Sequence, residues 1–314
     1  MISKVKLSFS ACQNLEFREL HYYIVVMKNS PNFSLAPVFV LSALCSACVS
    51  VQPTLNLPPE TPRSQFSELR FGSTIPLYPE RPANSSGLEL TLNLTGMNSP
   101  AAQAEFFHRN LYSGDSLGAY RNRVVNEQTE IYRRTLAALD TAETEDRSDL
   151  NWYYTEEVAV IGAENSGAEN SGAGNNGIVV ERMLDTYIGG AHGLATKKYH
   201  VLDLESLKVV TINDLFEDFH DTRIRAIVYD ALRDYGKLAK AQPLSEGGFF
   251  SDAPELTENF YVTEQGLGLY WNRYEIAPYV MGPIDIVIPW RDIRPRMLHS
   301  GMELMTKFGI YLFM

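Results

Sequence analysis

Phe260-Tyr261-Val262-Thr263-Glu264-Gln265-Gly266-Leu267-Gly268-Leu269-Tyr270-Trp271 places two apolar, aromatic-rich runs around Glu264-Gln265-Gly266. Two such runs around a short glycine-containing break signal a β-hairpin. Upstream, Ile224, Ile227, Val228, Ala231, Leu232 and Tyr235 fall at i, i+3, i+4, i+7, i+8 and i+11, the spacing of an amphipathic helix. Asp221 or Thr222 can cap its start and Gly236 can close its end. Downstream, Ile284 to Pro289 reads as a final strand. Pro289 has no N–H to give to a ladder, so it marks a strand end or a sheet edge. A hairpin beside an isolated helix is not a βαβ unit.

The pattern continues toward the N-terminus. Tyr199 to Leu204 and Val209-Val210-Thr211 read as strands, and Asn213-Asp214-Leu215-Phe216 leads toward a helix. Residues 237–256 are irregular. Leu88-Glu89-Leu90-Thr91-Leu92-Asn93-Leu94 alternates strictly, as a half-buried strand does. Ser99-Pro100 opens a helix over 101–112. A second helix runs from Ser116 to Leu139, with Leu117, Tyr120, Val124, Ile131, Leu136 and Leu139 as its apolar stripe. Residues 140–149 read as a loop. Trp152 to Ile161 and 178–188 read as strands joined by a five-residue repeat, Gly162-Ala163-Glu164-Asn165-Ser166 and its copies through Gly177. So polar and glycine-rich a segment, 162–177, buries no face, and it reads as an expanded hairpin loop. It lacks the Lys-Ser/Thr and following helix of a phosphate loop. Hairpins flanking isolated helices give an α+β fold, with helices packed on a mostly antiparallel sheet.

The chain has 314 residues, 27 basic and 38 acidic, for a formal net charge of −11. An acidic chain is a poor general binder of nucleic acid or anionic membrane, both of which need a basic face. Three cysteines cannot build a disulfide framework. Residues 27–47 read as a signal peptide: Met27-Lys28-Asn29, an apolar run from Phe33 to Cys45, then Ser46-Ala47-Cys48. The run is shorter than the roughly 20 apolar residues of a spanning helix. Cys45-Ser46-Ala47-Cys48 resembles a bacterial lipoprotein box, although Cys45 stands where Leu is usual. Cys48 is therefore the expected lipidation site, with ordinary cleavage near Ala47 as the alternative. Residues 1–26 then lie upstream of the expected true start, Met27. Residues 48–65, with Pro53, Pro58, Pro59 and Pro62, read as a tether. Residues 297–314 read as a C-terminal tail, too short to span a bilayer and without an assigned purpose.

No HExxH, Cys/His metal pair or G-x-S-x-G elbow is present, and neither metal nor cofactor is expected. Two residues stand out. His192 sits in Tyr187-Ile188-Gly189-Gly190-Ala191-His192-Gly193, where the glycines let the backbone turn sharply. It reads first as a His that fixes a loop and second as a catalytic base. Glu275, in Tyr274-Glu275-Ile276-Ala277-Pro278-Tyr279, reads first as a structural carboxylate and second as a catalytic one.

Four blocks in order resemble one family. They are the 187–193 segment; Asp203-Leu204 with Asn213-Asp214-Leu215-Phe216; Phe260-Tyr261-Val262-Thr263 with Gly266-Leu267; and 274–279 followed by Gly282-Pro283 and Ile288-Pro289. Two departures occur: Leu207 or a neighbour replaces a usual glycine, and Trp290 replaces a Tyr or Phe. The pattern is similar to an extracytoplasmic domain of unknown function in RsiV-type anti-sigma factors and at the N-terminus of PdaC-type peptidoglycan deacetylases. The likeness is firm over 187–291 and rests on element order over 66–186. It implies two closely associated subregions, 66–186 and 187–296, and an envelope location. For some members it implies lysozyme binding, and it does not imply catalysis.

The expected protein is an envelope lipoprotein held to a membrane through Cys48. Its domain binds a basic protein such as lysozyme, or a cell-wall glycan, and no nucleic acid. Tyr187, Gly189, Gly190, His192, Tyr274, Glu275 and Tyr279 are the expected binding residues. The alternatives are a glycan-acting enzyme using His192 and Glu275, and a structural envelope lipoprotein.

Overall fold

The computed structural model describes residues 4–7, 22–25, 65–77, 87–138, 150–161 and 176–312. The chain divides into two compact units, Met1–Pro59 and Glu60–Met314. In the first, β1 (Lys4–Leu7) pairs antiparallel with β2 (Tyr22–Val25). Residues 27–47 of the expected signal, residues 48–64 of the tether, the 140–149 loop and residues 162–175 of the repeat segment lie outside the described residues.

The second unit is built on a six-stranded sheet. Its strands are β3 (Phe66–Pro76), β4 (Gly87–Met97), β5 (Trp152–Ile161), β6 (Gly177–Tyr187), β7 (Leu194–Asp203) and β8 (Lys208–Val210), in that spatial order. All neighbours are antiparallel except β4 and β5. A parallel pair needs a long crossover. Here α1 (Ala101–Tyr112) and α2 (Leu117–Ala138) form it. β5 and β6 pair from Tyr153–Tyr187 to Ile161–Val179, so the repeat does join two strands of a hairpin. The boundary drawn at residue 187 falls inside this sheet, at the β6–β7 turn.

Side chains alternate across a strand. Leu88, Leu90, Leu92 and Leu94 therefore share one face of β4, and all are buried under the two helices. Ile131 departs from its expected place and is 50% exposed. The contact line moves round α2 along its length. Tyr120 and Val124 meet the sheet in the early turns, and Val125, Tyr132 and Leu136 meet it later. A straight helix over a twisted sheet drifts in this way.

A second core lies against the other face, beside β7. It includes Val179, Tyr199, Val201 and Val210 with residues of a three-stranded sheet. That sheet has the order β11 (Ile284–Pro289), β10 (Gly266–Trp271), β9 (Phe260–Val262), all antiparallel. The hairpin and the edge position of Pro289 stand where the sequence puts them. α3 (Ile212–Leu215), α4 (Thr222–Tyr235), α5 (Trp290–Ile293) and α6 (His299–Met305) complete this half.

The C-terminal segment has a packing role. Met305, Ile310 and Leu312 are buried in the second core. Leu298 N–H donates to Leu215 O at 2.8 Å, and Arg294 Nη1 donates to Leu312 O at 2.6 Å. Lys307 Nζ reaches Asp203 at 2.8 Å, at the far end of β7. A short segment without a sequence motif can still be fixed by apolar burial and a few such contacts.

Candidate functional site

The 187–193 segment forms the β6–β7 turn, and its glycines have separate reasons. Gly189 and Gly190 take φ of 92° and 100°, the left-handed region that glycine enters without a Cβ clash. A Cβ on Gly193 would lie 2.2 Å from Tyr153 Oη, so that position needs close approach instead. Tyr187 Oη donates to Gly190 O at 2.9 Å, and the Tyr187 ring stacks on Tyr153 at 6.0 Å. Burial and the nearby Asp185 carboxylate raise the Tyr153 hydroxyl above its ordinary pKa.

The 272–283 loop follows β10. Asn272 ties it to β7: its Oδ1 accepts from Lys197 N–H at 2.6 Å, and its Nδ2 donates to Lys197 O at 3.2 Å. Glu275 closes the turn by accepting from Asn272 N–H at 2.9 Å and from Asn272 Nδ2 at 3.3 Å. Tyr274, between them, has φ of 70° and is 51% exposed. A non-glycine residue in this region carries about 1–2 kcal/mol of strain.

These two loops meet. The His192 ring stacks on Tyr279, with centroids 3.9 Å apart and planes at 22°. His192 Nδ1 lies 3.1 Å from Gly193 O, and Nε2 lies 3.4 Å from Tyr274 Oη. With the proton on Nδ1, Nε2 accepts from the tyrosine. Tyr279 Oη donates to Gly193 O at 3.1 Å. In or next to these two loops in sequence, Ile188, Leu194 and Val280 are exposed, Val280 at 89%.

The structure thus gathers Tyr187, Gly189, Gly190, His192, Tyr274 and Tyr279 into one surface. Glu275 stays with its own turn, and its hydrogen bonds are to Asn272, not to His192. Two concavities lie elsewhere. One, about 530 Å³, is lined by Glu264, Trp290, Arg291 and Tyr311 among others. The other, about 290 Å³, lies over β3, β4 and β5 and is lined by Glu68, Arg70, Asn93 and Glu157 among others. Among the described residues no three His, Cys, Asp or Glu side chains are grouped to hold a metal ion. No described helix is long and apolar enough to cross a membrane.

One cluster escaped the sequence reading. Glu156, in mid-β5, is 0% exposed on the helix-facing side. It pairs with Arg182 at 2.7 Å and accepts from Tyr120 Oη at 2.9 Å and Tyr154 Oη at 2.9 Å. Arg182 also donates to Tyr120 Oη and to Leu111 O. Burial, then the Glu156 charge, pushes the Tyr120 and Tyr154 hydroxyls well above their ordinary range. A buried carboxylate costs several kcal/mol unless paired and hydrogen-bonded, and this one has both. The signal was present. Trp152, Tyr154, Glu156, Val158 and Val160 alternate inward, so Glu156 is a charge at a core position.

Residues 213–291 match the family described as "Protein of unknown function (DUF3298)". Over 104 residues the chain is 29% identical to the peptidoglycan-N-acetylmuramic acid deacetylase PdaC of Bacillus subtilis (strain 168). That stretch covers 32% of this chain and 22% of PdaC, so it spans about a fifth of the deacetylase. A DUF3298-family structure from Bacteroides fragilis NCTC 9343 superposes with a TM-score of 0.64 and 20% identity, over 77% of this chain and 96% of that one. A DUF3298-family protein from Pseudomonas aeruginosa PAO1 gives 0.50 and 15%, over 75% and 94%. At these identities the likeness is one of fold. Residues 213–291 thus match the DUF3298 model, the chain resembles part of PdaC, and its fold is α+β.

Proposed function

We propose that this chain is an exported envelope lipoprotein, anchored through Cys48, whose DUF3298 domain binds a protein partner without catalysing a reaction. The observation that carries the reading is the stack of His192, Tyr279 and Tyr274, in loops whose sequence neighbours Ile188, Leu194 and Val280 are also exposed. Exposed aromatic residues on a rigid frame are the usual anchors of protein interfaces. The strain at Tyr274 supports it, since backbone strain gathers where a residue must be held for a ligand. Catalysis has weaker support. His192 has tyrosine and backbone partners and shares no hydrogen bond with Glu275, and neither residue lines either concavity described above. The resemblance to part of a peptidoglycan deacetylase suits a cell-wall setting. The chain's acidity suits a basic partner, because opposite charge speeds encounter.

Lysozyme is the specific partner proposed. Titration calorimetry of the full chain with hen lysozyme at increasing NaCl is expected to show binding that weakens with salt. Tyr274→Ala and His192→Ala should each weaken it by roughly 1–3 kcal/mol without loss of fold. Absence of both salt-dependent binding and lysozyme inhibition would remove lysozyme as the partner. In the producing cell, labelled fatty acid should be incorporated into the chain and not into Cys48→Ala. Equal labelling of the two would refute the anchor.

A further inference from the structure

β3 is an edge of the six-stranded sheet: β4 takes one side of it, and among the described residues no strand takes the other. The opposite edge, β8, is three residues long, and so short an edge offers little to pair with. β3 is 11 residues long and keeps unbroken register with β4 from Phe66–Met97 to Pro76–Gly87. Its one proline stands at the end. Shortness, bulges and internal proline, which commonly spoil an edge for pairing, are therefore missing from this strand.

The phase of the ladder shows which groups face outward. Asn98 N–H donates to Gln65 O at 2.9 Å, one step beyond the Phe66–Met97 pair. Antiparallel strands bond at alternate opposite pairs, so the odd-numbered residues of β3 turn their N–H and C=O to β4. Two groups on β4 agree with this phase. Met97 N–H donates to His108 Nε2 and Thr95 O accepts from Tyr112 Oη, so both are used away from β3. Glu68, Arg70, Gly72 and Thr74 then turn their backbone groups to the open edge, and among the described residues no backbone hydrogen bond reaches those groups. Glu68 and Arg70 are also the only charges on β3, with side chains 67% and 78% exposed. On the helix-facing side Leu69 and Phe71 are only half-buried against the first core.

We propose that this edge is covered by β3 of a second copy of the chain, running antiparallel about a two-fold axis at Leu69. Glu68 then lies opposite Arg70 of the second copy, and Arg70 opposite its Glu68, and the outward backbone groups of each pair exchange hydrogen bonds. The charge pattern that complements Glu-x-Arg across an antiparallel ladder is Glu-x-Arg itself, as a two-fold interface requires. The smallest slip that keeps the outward groups facing one another is two residues. In one direction it sets Glu68 against Glu68, and in the other Arg70 against Arg70, and like charges directly opposite oppose pairing. At the axis Leu69 meets its own copy and loses more apolar surface to water. The net charge of −11 opposes association at long range, which salt screens. The inference is independent of the binding reading above.

Sedimentation velocity of the full chain at physiological salt, across the micromolar range, should show a monomer–dimer equilibrium. Arg70→Glu sets like charges at both pairs and should weaken the dimer at least about tenfold. Glu68→Arg combined with Arg70→Glu restores opposite charges and should recover it to within about threefold. In Leu69→Cys, peptide mapping after mild oxidation should find position 69 joined to its own copy, because residues facing at a non-hydrogen-bonded pair stand about 4.5 Å apart, within disulfide reach. A dimer built elsewhere in the chain would ignore Arg70→Glu, and that result overturns the proposal. So does a dimer that both charge variants weaken alike. A monomer throughout also overturns it, and hydrogen exchange then reports the edge: slow amides at Glu68 and Arg70 would place another segment of the chain there, and fast ones would leave it open.

Discussion

Leu207 illustrates what a single residue can reveal. It or a neighbour stands where the resembling family usually has glycine, and the structure gives Leu207 a φ of 54°. The β7–β8 turn has kept the left-handed conformation although the residue that enters it freely is gone. The Leu207 side chain is exposed and returns little burial for the strain. Leu207→Gly is therefore expected to stabilise the chain by about 1 kcal/mol, allowing for the entropy glycine adds to the unfolded state. Chemical denaturation with an unchanged m-value checks this, and a destabilised variant would contradict it. The glycines of the 187–193 turn show the limits of reading at this scale. Sequence suggested tight turning for all three. Only the structure separates two dihedral requirements from the one contact with Tyr153, a residue 40 positions away in the chain.

At the scale of elements, α4 was the clearest expectation and is also the best formed. Ile224, Val228 and Leu232 are buried on one stripe. Asp221 caps the helix, its Oδ1 accepting from Arg223 N–H at 2.7 Å and Ile224 N–H at 3.2 Å. Asp221→Ala should cost about 1 kcal/mol, and Asp221→Ser should restore most of it. If the alanine variant melted at the wild-type temperature, the cap would be contributing nothing. By contrast α2 stands where expected, with Tyr120 and Val124 buried and Leu117 and Leu136 packed on the cores, but Ile131 of the same stripe is exposed. Periodicity assumes that one face is buried along the whole helix, whereas α2 crosses a twisted sheet and changes its contact side. Glu156 belongs to the same lesson. Alternation marked its position as inward, but its partners Tyr120 and Arg182 come from α2 and β6.

At the scale of the molecule, pH tests how the layers are held together. His200 lies on β7 with Lys198 on its own strand and Arg182 across on β6. Burial, then the charges of Lys198 and Arg182, lowers its pKa from the ordinary 6.5 to about 4. Between these values the unfolded chain binds a proton that the folded chain refuses. Stability from this group is then complete above pH 6.5 and is lost as the pH falls toward 4. Denaturation midpoints should decline across that window, and His200→Gln should flatten the decline. An identical pH profile in the two proteins would show that other groups set the slope. Assembly of the whole also explains the C-terminal segment. Its sequence carried no signal, because its partners, Asp203, Leu215 and the second core, lie up to about a hundred residues back along the chain.

Local pattern alone was enough for the α+β class, for the hairpins at β5–β6 and β9–β10, and for α4, since the hydrophobic period and the capping or turn residues of each element lie within a few positions of one another. It also marked both loops of the candidate surface, through their glycines and aromatic residues. Only the tertiary structure decided that His192 lies on Tyr279 and that Glu275 stays within its own turn. Those facts depend on side chains about 80 residues apart being brought into contact by two packed sheets. No spacing in a single chain encodes which of them will meet.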